Sequence, residues 1–171
     1  MDVQTFEVLS KYNSSASGKM DEIIKGLTEQ QWNTKFGGYF SSIKSLCNHI
    51  YICDFNWLRR FSGLREFSFI KDPIFKENVT FGTLAFDGID DYLKKRNEMD
   101  KQIDLFVKEL RDADFDTILE YKDSHGTIYK RQFGGLVLHM FNHETHHRGM
   151  ISLYLEEMGI SNDYNNIYDI L

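Results

Sequence analysis

GGLVLHMFNHETHHRGMISLYLEEM, residues 134–158, runs without a proline and is closed by Gly159. At 100° per residue, Leu136, Met140, His143, His147, Met150, Tyr154 and Met158 fall on one side. The pattern predicts a long helix that stops at the glycine, with that side as its core face. Two histidines on the face stand one turn apart, which brings their side chains within about 5–6 Å of each other. Burying two bare imidazoles side by side is costly, because each has a donor and an acceptor to satisfy. A shared metal ion satisfies both and forbids the doubly protonated state. Core histidines paired to tyrosines or carboxylates are the plainer alternative.

Working outward, three more long helices are expected. The first covers residues 3–27, with Val3, Phe6, Leu9, Met20, Ile23, Ile24 and Leu27 at helical spacing; the stretch Ser14-Ser15-Ala16-Ser17-Gly18 interrupts its apolar pattern. Thr28-Glu29-Gln30-Gln31 reads as a capping box that opens one short turn. The second covers residues 42–61, with a stripe of Ile43, Leu46, Ile50, Cys53, Trp57 and Phe61. The third covers residues 88–110 and is charged on its outer side. Residues 117–133, TILEYKDSHGTIYKRQF, alternate with a period of two on either side of Asp123-Ser124-His125-Gly126, as a small β-hairpin does. The expected architecture is an all-α four-helix bundle, one domain over residues 1–171, with a hairpin before the fourth helix. Residues 62–86 contain Pro73, the only proline, and form a crossover long enough to let the second and third helices run parallel.

Composition narrows the function. The chain has 171 residues, 42% hydrophobic, with 14 Phe and 9 Tyr, ample for one packed core. Its net charge is −6 and no basic block occurs, so nucleic acid is not an expected partner. No stretch approaches the ~18 apolar residues of a membrane span. The start, MDVQTFEVLSKY, lacks the features of a signal peptide. Cys47 and Cys53 lie on different faces of one helix and cannot bridge each other. A cytoplasmic protein is the expectation.

A metal site needs a third ligand. His49 is the only histidine on the second helix, at the margin of its stripe between Leu46 and Cys53. An adjacent helix can bring it to His143 and His147. Three neutral nitrogens suit zinc, nickel or iron and leave positions open to water or substrate. His49 equally suits an ordinary polar helix edge. His143-Glu144-Thr145-His146-His147 also matches H-E-x-x-H, in which the glutamate activates metal-bound water in peptidases. Met150 and Leu153 occupy the glycine and histidine positions of the extended motif, and no strand cluster is present to hold a peptide. The peptidase reading is therefore the weaker one. Glu144 reads first as a solvated glutamate or an acceptor behind the ligands. Arg148 and Asp54 read as either a cross-helix pair or surface charge, and Cys53 as a core cysteine before an extra ligand.

The stretch from Asn142 to Gly149 (Asn142-His143-Glu144-Thr145-His146-His147-Arg148-Gly149) closely resembles the motif of the DinB-like, damage-inducible family. His49-Ile50-Tyr51-Ile52-Cys53-Asp54-Phe55-Asn56-Trp57-Leu58 resembles the histidine helix of that family, and Tyr12-Asn13 its first helix. The resemblance implies a four-helix bundle, commonly a homodimer, with a metal on His49, His143 and His147. Met150 departs from the glutamine that often follows Arg148-Gly149. Relatives include thiol-dependent transferases, which implies a small-molecule substrate and a low-molecular-weight thiol as partner. A metal-dependent enzyme of thiol transfer or hydrolysis is thus the leading expectation, and a non-catalytic metal-binding or interaction bundle the competing one.

Overall fold

A computed structural model describes all 171 residues. Four long helices form: α1 (Val3–Lys25), α3 (Ile43–Phe61), α4 (Ile89–Glu109) and α5 (Phe133–Glu157), with a short α2 (Glu29–Asn33) between the first two. Strands β1 (Ile118–Lys122) and β2 (Ile128–Gln132) pair antiparallel, Tyr121 opposite Tyr129. The turn between them is held by the Asp123 carboxylate, which accepts from the backbone N–H of His125 and Thr127. Gly126 takes φ +84° there, where a side chain would be strained.

Caps set the helix starts. The Thr28 box opens α2 as its spacing predicts, and Ser42 with Ser45 forms a second box at the start of α3. Small residues do not break α1. Ser10, Asn13, Ala16 and Ser17 are buried along it, where short side chains let neighbouring helices approach.

Hydrogen bonds across the bundle fix its directions. Asn48 near the start of α3 bonds Thr83 and Ala85 just ahead of α4, while Arg65 beyond the end of α3 bonds Glu109 at the end of α4. The two helices therefore run parallel, as the long crossover allows. Tyr92 at the start of α4 donates to Asp21 at the end of α1, and Tyr154 near the end of α5 donates to the Phe40 carbonyl ahead of α3. So α1 is antiparallel to α4, and α5 to α3.

The crossover does more than span the bundle. Phe67, Phe69, Ile74, Phe75, Val79 and Phe86 on it are buried in the same core of 37 residues. They cover the side of α3 that would otherwise face water, which is why Tyr51, Ile52 and Phe55 are buried together with all of the expected stripe except the half-buried Trp57.

The buried face of α5 differs from the expected one. Leu136, Met140, His147 and Tyr154 of the expected face are buried, but so are Val137, Phe141, Glu144, Arg148, Ile151 and Leu155 beside it, whereas His143, Met150 and Met158 are only half-buried. The helix packs against both α1 and α3, so its core face lies toward α1 and the histidine face is turned to the seam with α3.

Candidate metal centre

His49 enters from the second turn of α3, and His143 and His147 from successive turns in the middle of α5. Because α3 and α5 lie side by side, the three imidazoles meet in their seam. His49 Nε2 is 3.0 Å and His147 Nε2 is 3.1 Å from His143 Nε2. The three ring centroids are 4.3 to 4.9 Å apart.

A neutral imidazole nitrogen has either one proton or one lone pair, so a hydrogen bond accounts for only one of these two contacts. Imidazole nitrogens that share one ion stand about 3–3.5 Å from each other, so the residues present would fit such an ion. Burial, reinforced by the neighbouring imidazoles, pulls the pKa of each of the three histidines down to about 4. All three are neutral at pH 7 and can offer a lone pair. The Nδ1 atoms of His143 and His147 are buried without a hydrogen-bond partner, so no contact forces the proton onto Nε2.

Cys53 lies one turn beyond His49, its Sγ 3.6 Å from His49 Nε2. Ligand atoms of His49, Cys53 and His143 all lie within 4.8 Å of one another, a group that could hold a metal. Burial and the adjacent Asp54 push the Cys53 thiol up to about 12, so it is protonated at neutral pH. The residue is buried, as expected of a core cysteine, and it also borders the centre. One helical turn, i to i+4 from His49, was the sequence signal for this.

Phe40 closes one side. Its ring stacks on His49 at 4.2 Å and meets His147 edge-on at 5.4 Å. The segment carrying it is pinned by Tyr154, whose hydroxyl donates to the Phe40 carbonyl at 2.8 Å. A Cβ at Gly38 would run into that hydroxyl, so the close approach favours glycine there. No reading of the sequence singled out Phe40 or Gly38. His139 and His146 are exposed, the former 5.9 Å from the His143 ring and the latter 4.8 Å from that of His147.

Glu144 is neither solvated nor turned to the imidazoles. It is 1% exposed, 3.5 Å from Arg148 Nη1, and accepts no hydrogen bond. Asp54 and Arg148 are not surface charges either. Asp54 pairs with Arg96, which also holds Asp100, while Arg148 donates to Asn13 and Thr145. Burial first, and then Asp54, push the Glu144 carboxyl up. One residue along a helix is a rotation of 100°, and this takes Glu144 from the seam to the interior. The glutamate of H-E-x-x-H thus has no contact from which to serve as base, and the peptidase reading loses its key residue.

A bundle of four long helices with an imidazole trio in one seam, backed by a buried ion network, defines a class of helical, histidine-centred proteins. The chain belongs to the DinB family, whose model matches residues 1–166. It is 25% identical over 154 residues to protein DinB of Bacillus subtilis, spanning 88% of this chain and 84% of that one. Its fold is similar to a DinB-like protein of Bacillus subtilis (TM-score 0.62, 15% identity, 92% of this chain and 97% of that one). A DinB-like protein of Bacillus cereus is similar as well (TM-score 0.56, 14% identity, 86% and 89%). No helix is long and apolar enough to cross a membrane.

Proposed function

We propose that this protein binds one divalent metal ion, zinc, nickel or iron, through His49, His143 and His147, and acts with it on a small substrate by thiol transfer or hydrolysis. The observation that carries this is the convergence of two Nε2 atoms on a third at 3.0 and 3.1 Å. An ion held there lowers the pKa of a thiol or a water molecule and so prepares a nucleophile. Three ligands from one seam leave coordination positions on the open side. A cleft of about 440 Å³ that reaches His49 is lined by Tyr39, Phe40, Asn48 and Phe81 among others, of a size for a small molecule. Phe40 shields the imidazoles from water on its side. A low-molecular-weight thiol fits this entrance; a polyanion does not fit a chain of charge −6. Assembly as a homodimer in the cytoplasm belongs to the same proposal, and light scattering of the purified protein tests the dimer.

Cys53 supports a second reading. A thiolate from it would complete three imidazoles to a closed four-ligand sphere, the arrangement of structural zinc, and catalysis would then be absent. Element analysis of protein purified without an affinity tag, followed by thiol and ester substrate screens of the loaded form, tests the first reading. Cys53→Ser separates the two: an open site keeps its metal and activity, whereas a closed one loses affinity.

A further inference from the structure

Two clefts meet at Phe81 along the outer side of α3. The first, of about 440 Å³, reaches His49. The second, of about 550 Å³, is lined by Asn56, Arg59, Arg60, Lys122 and Asp123, with residues 78–81 as its opposite wall. Asn48, Ile52, Asn56 and Arg59 follow one another at steps of three or four residues, so they form one stripe joining both clefts. From His49 to Arg60 is eleven residues, or about 16 Å of helix at 1.5 Å each.

The far end is a concentration of unpaired cations in an acidic protein. Arg59, Arg60 and Lys122 enter no ion pair. Arg65, Arg96 and Arg148 each have a carboxylate within 4 Å. The only acid in the cleft lining is Asp123, and its carboxylate is committed to the hairpin turn, where it accepts at 2.8 and 2.9 Å. Arg60 is half-buried and held in place, its guanidinium 4.8 Å from the Trp57 ring and 5.4 Å from that of Tyr121. A cation stacked in this way has already lost much of the freedom that ligand binding would cost it. Cations in the last turn of a helix also complement its dipole. That accounts for Arg59 and Arg60, but not for Lys122, which comes from β1, or for the facing Asn78 and Ser124.

We infer that the second cleft is an anion subsite, and that the small substrate of the histidine centre carries a carboxylate or phosphate tail held by Arg59, Arg60 and Lys122. The link to a substrate rests on the proposed function; anion binding itself does not require the metal. The test is calorimetric titration of the full chain with inorganic phosphate and with succinate, at constant ionic strength in chloride. The expected result is saturable binding of one anion per chain, weakened at least about tenfold in Arg60→Gln and in Lys122→Gln and retained in His49→Ala. Lys122 is exposed, so its replacement leaves the fold intact and keeps the test valid if Arg60→Gln unfolds. Binding of phosphate alone assigns a phosphate tail, and binding of succinate alone a carboxylate one. Saturable binding of neither anion, or equal binding by wild type and Lys122→Gln, overturns the subsite. If His49→Ala binds the anion while metal analysis of the wild type finds no ion, the metal reading fails and the subsite stands.

Discussion

Two pairs on α5 share a four-residue spacing and differ in everything else. His143 and His147 lie in the seam with α3, the first half-buried and the second buried, both neutral, with His143 Nε2 in contact with both His49 and His147. Glu144 and Arg148 lie one residue further along, both 1% exposed; they pair with each other and Arg148 holds Asn13, while Arg96 holds Asp54 and Asp100 elsewhere in the interior. The first pair holds lone pairs that nothing in the protein fully uses. In the interior, charges drawn from three helices oppose one another, with α1 adding the Asn13 amide. Unused bonding capacity at a seam makes a site, whereas opposed charges in the interior lock helices into register.

Substitutions should separate the two. His143→Ala or His147→Ala is expected to abolish stoichiometric metal binding, and His49→Ala to weaken it strongly, by element analysis. A folded His143→Ala variant that kept a full equivalent of metal would remove the centre from consideration. Arg96→Met should act oppositely, costing about 3–5 kcal/mol because Asp54 and Asp100 lose their shared cation in the interior. Urea unfolding reads this, and a change under about 1 kcal/mol would show that the network does not hold the bundle together.

Chelation sharpens the contrast. The core of 37 buried residues includes none of the three histidines, so stripping metal should lower the melting temperature but leave the far-UV helical signal largely unchanged. Collapse of that signal would make the centre structural.

A smaller effect is expected from pH. Burial lifts the Asp21 carboxyl to about 7, although Tyr92 donates to it at 2.8 Å. The folded chain therefore holds this proton more tightly than the unfolded one, whose carboxyl titrates near 3.9. The resulting stability is complete below about pH 4, declines as pH rises, and is lost above about 7. Asp54, Asp100 and Glu144 are pushed the same way by burial. Asp21→Asn should thus flatten the decline in unfolding midpoint between pH 4 and 8 without abolishing it; an unaltered slope would exclude Asp21 as a contributor.

The mildest change is predicted for Gly38→Ala. Its Cβ would displace the Tyr154 hydroxyl and loosen Phe40 over the imidazoles, at a cost of about 1 kcal/mol. Adding Tyr154→Phe should recover the fit, and failure to do so would place the strain elsewhere.

The four helices, the hairpin and the parallel run of α3 and α4 were legible in the chain, because apolar periodicity, caps and connection lengths are local properties. The approach of His143 to His147 was legible for the same reason: four residues of helix set their distance whatever surrounds them. Which face of α5 goes deepest was not. Glu144 and Arg148 look like solvent-facing residues to any pattern that counts charge as polar. The cation paired with Asp54 lies 42 residues away on another helix, and burial of a charge depends on its partner. The covering of α3 by residues 62–86, the seating of Phe40 on His49, and the gathering of Arg59, Arg60 and Lys122 around one cleft likewise join segments distant in sequence. Only the packed chain brings such groups within the few ångströms over which dispersion, hydrogen bonds and ion pairs act.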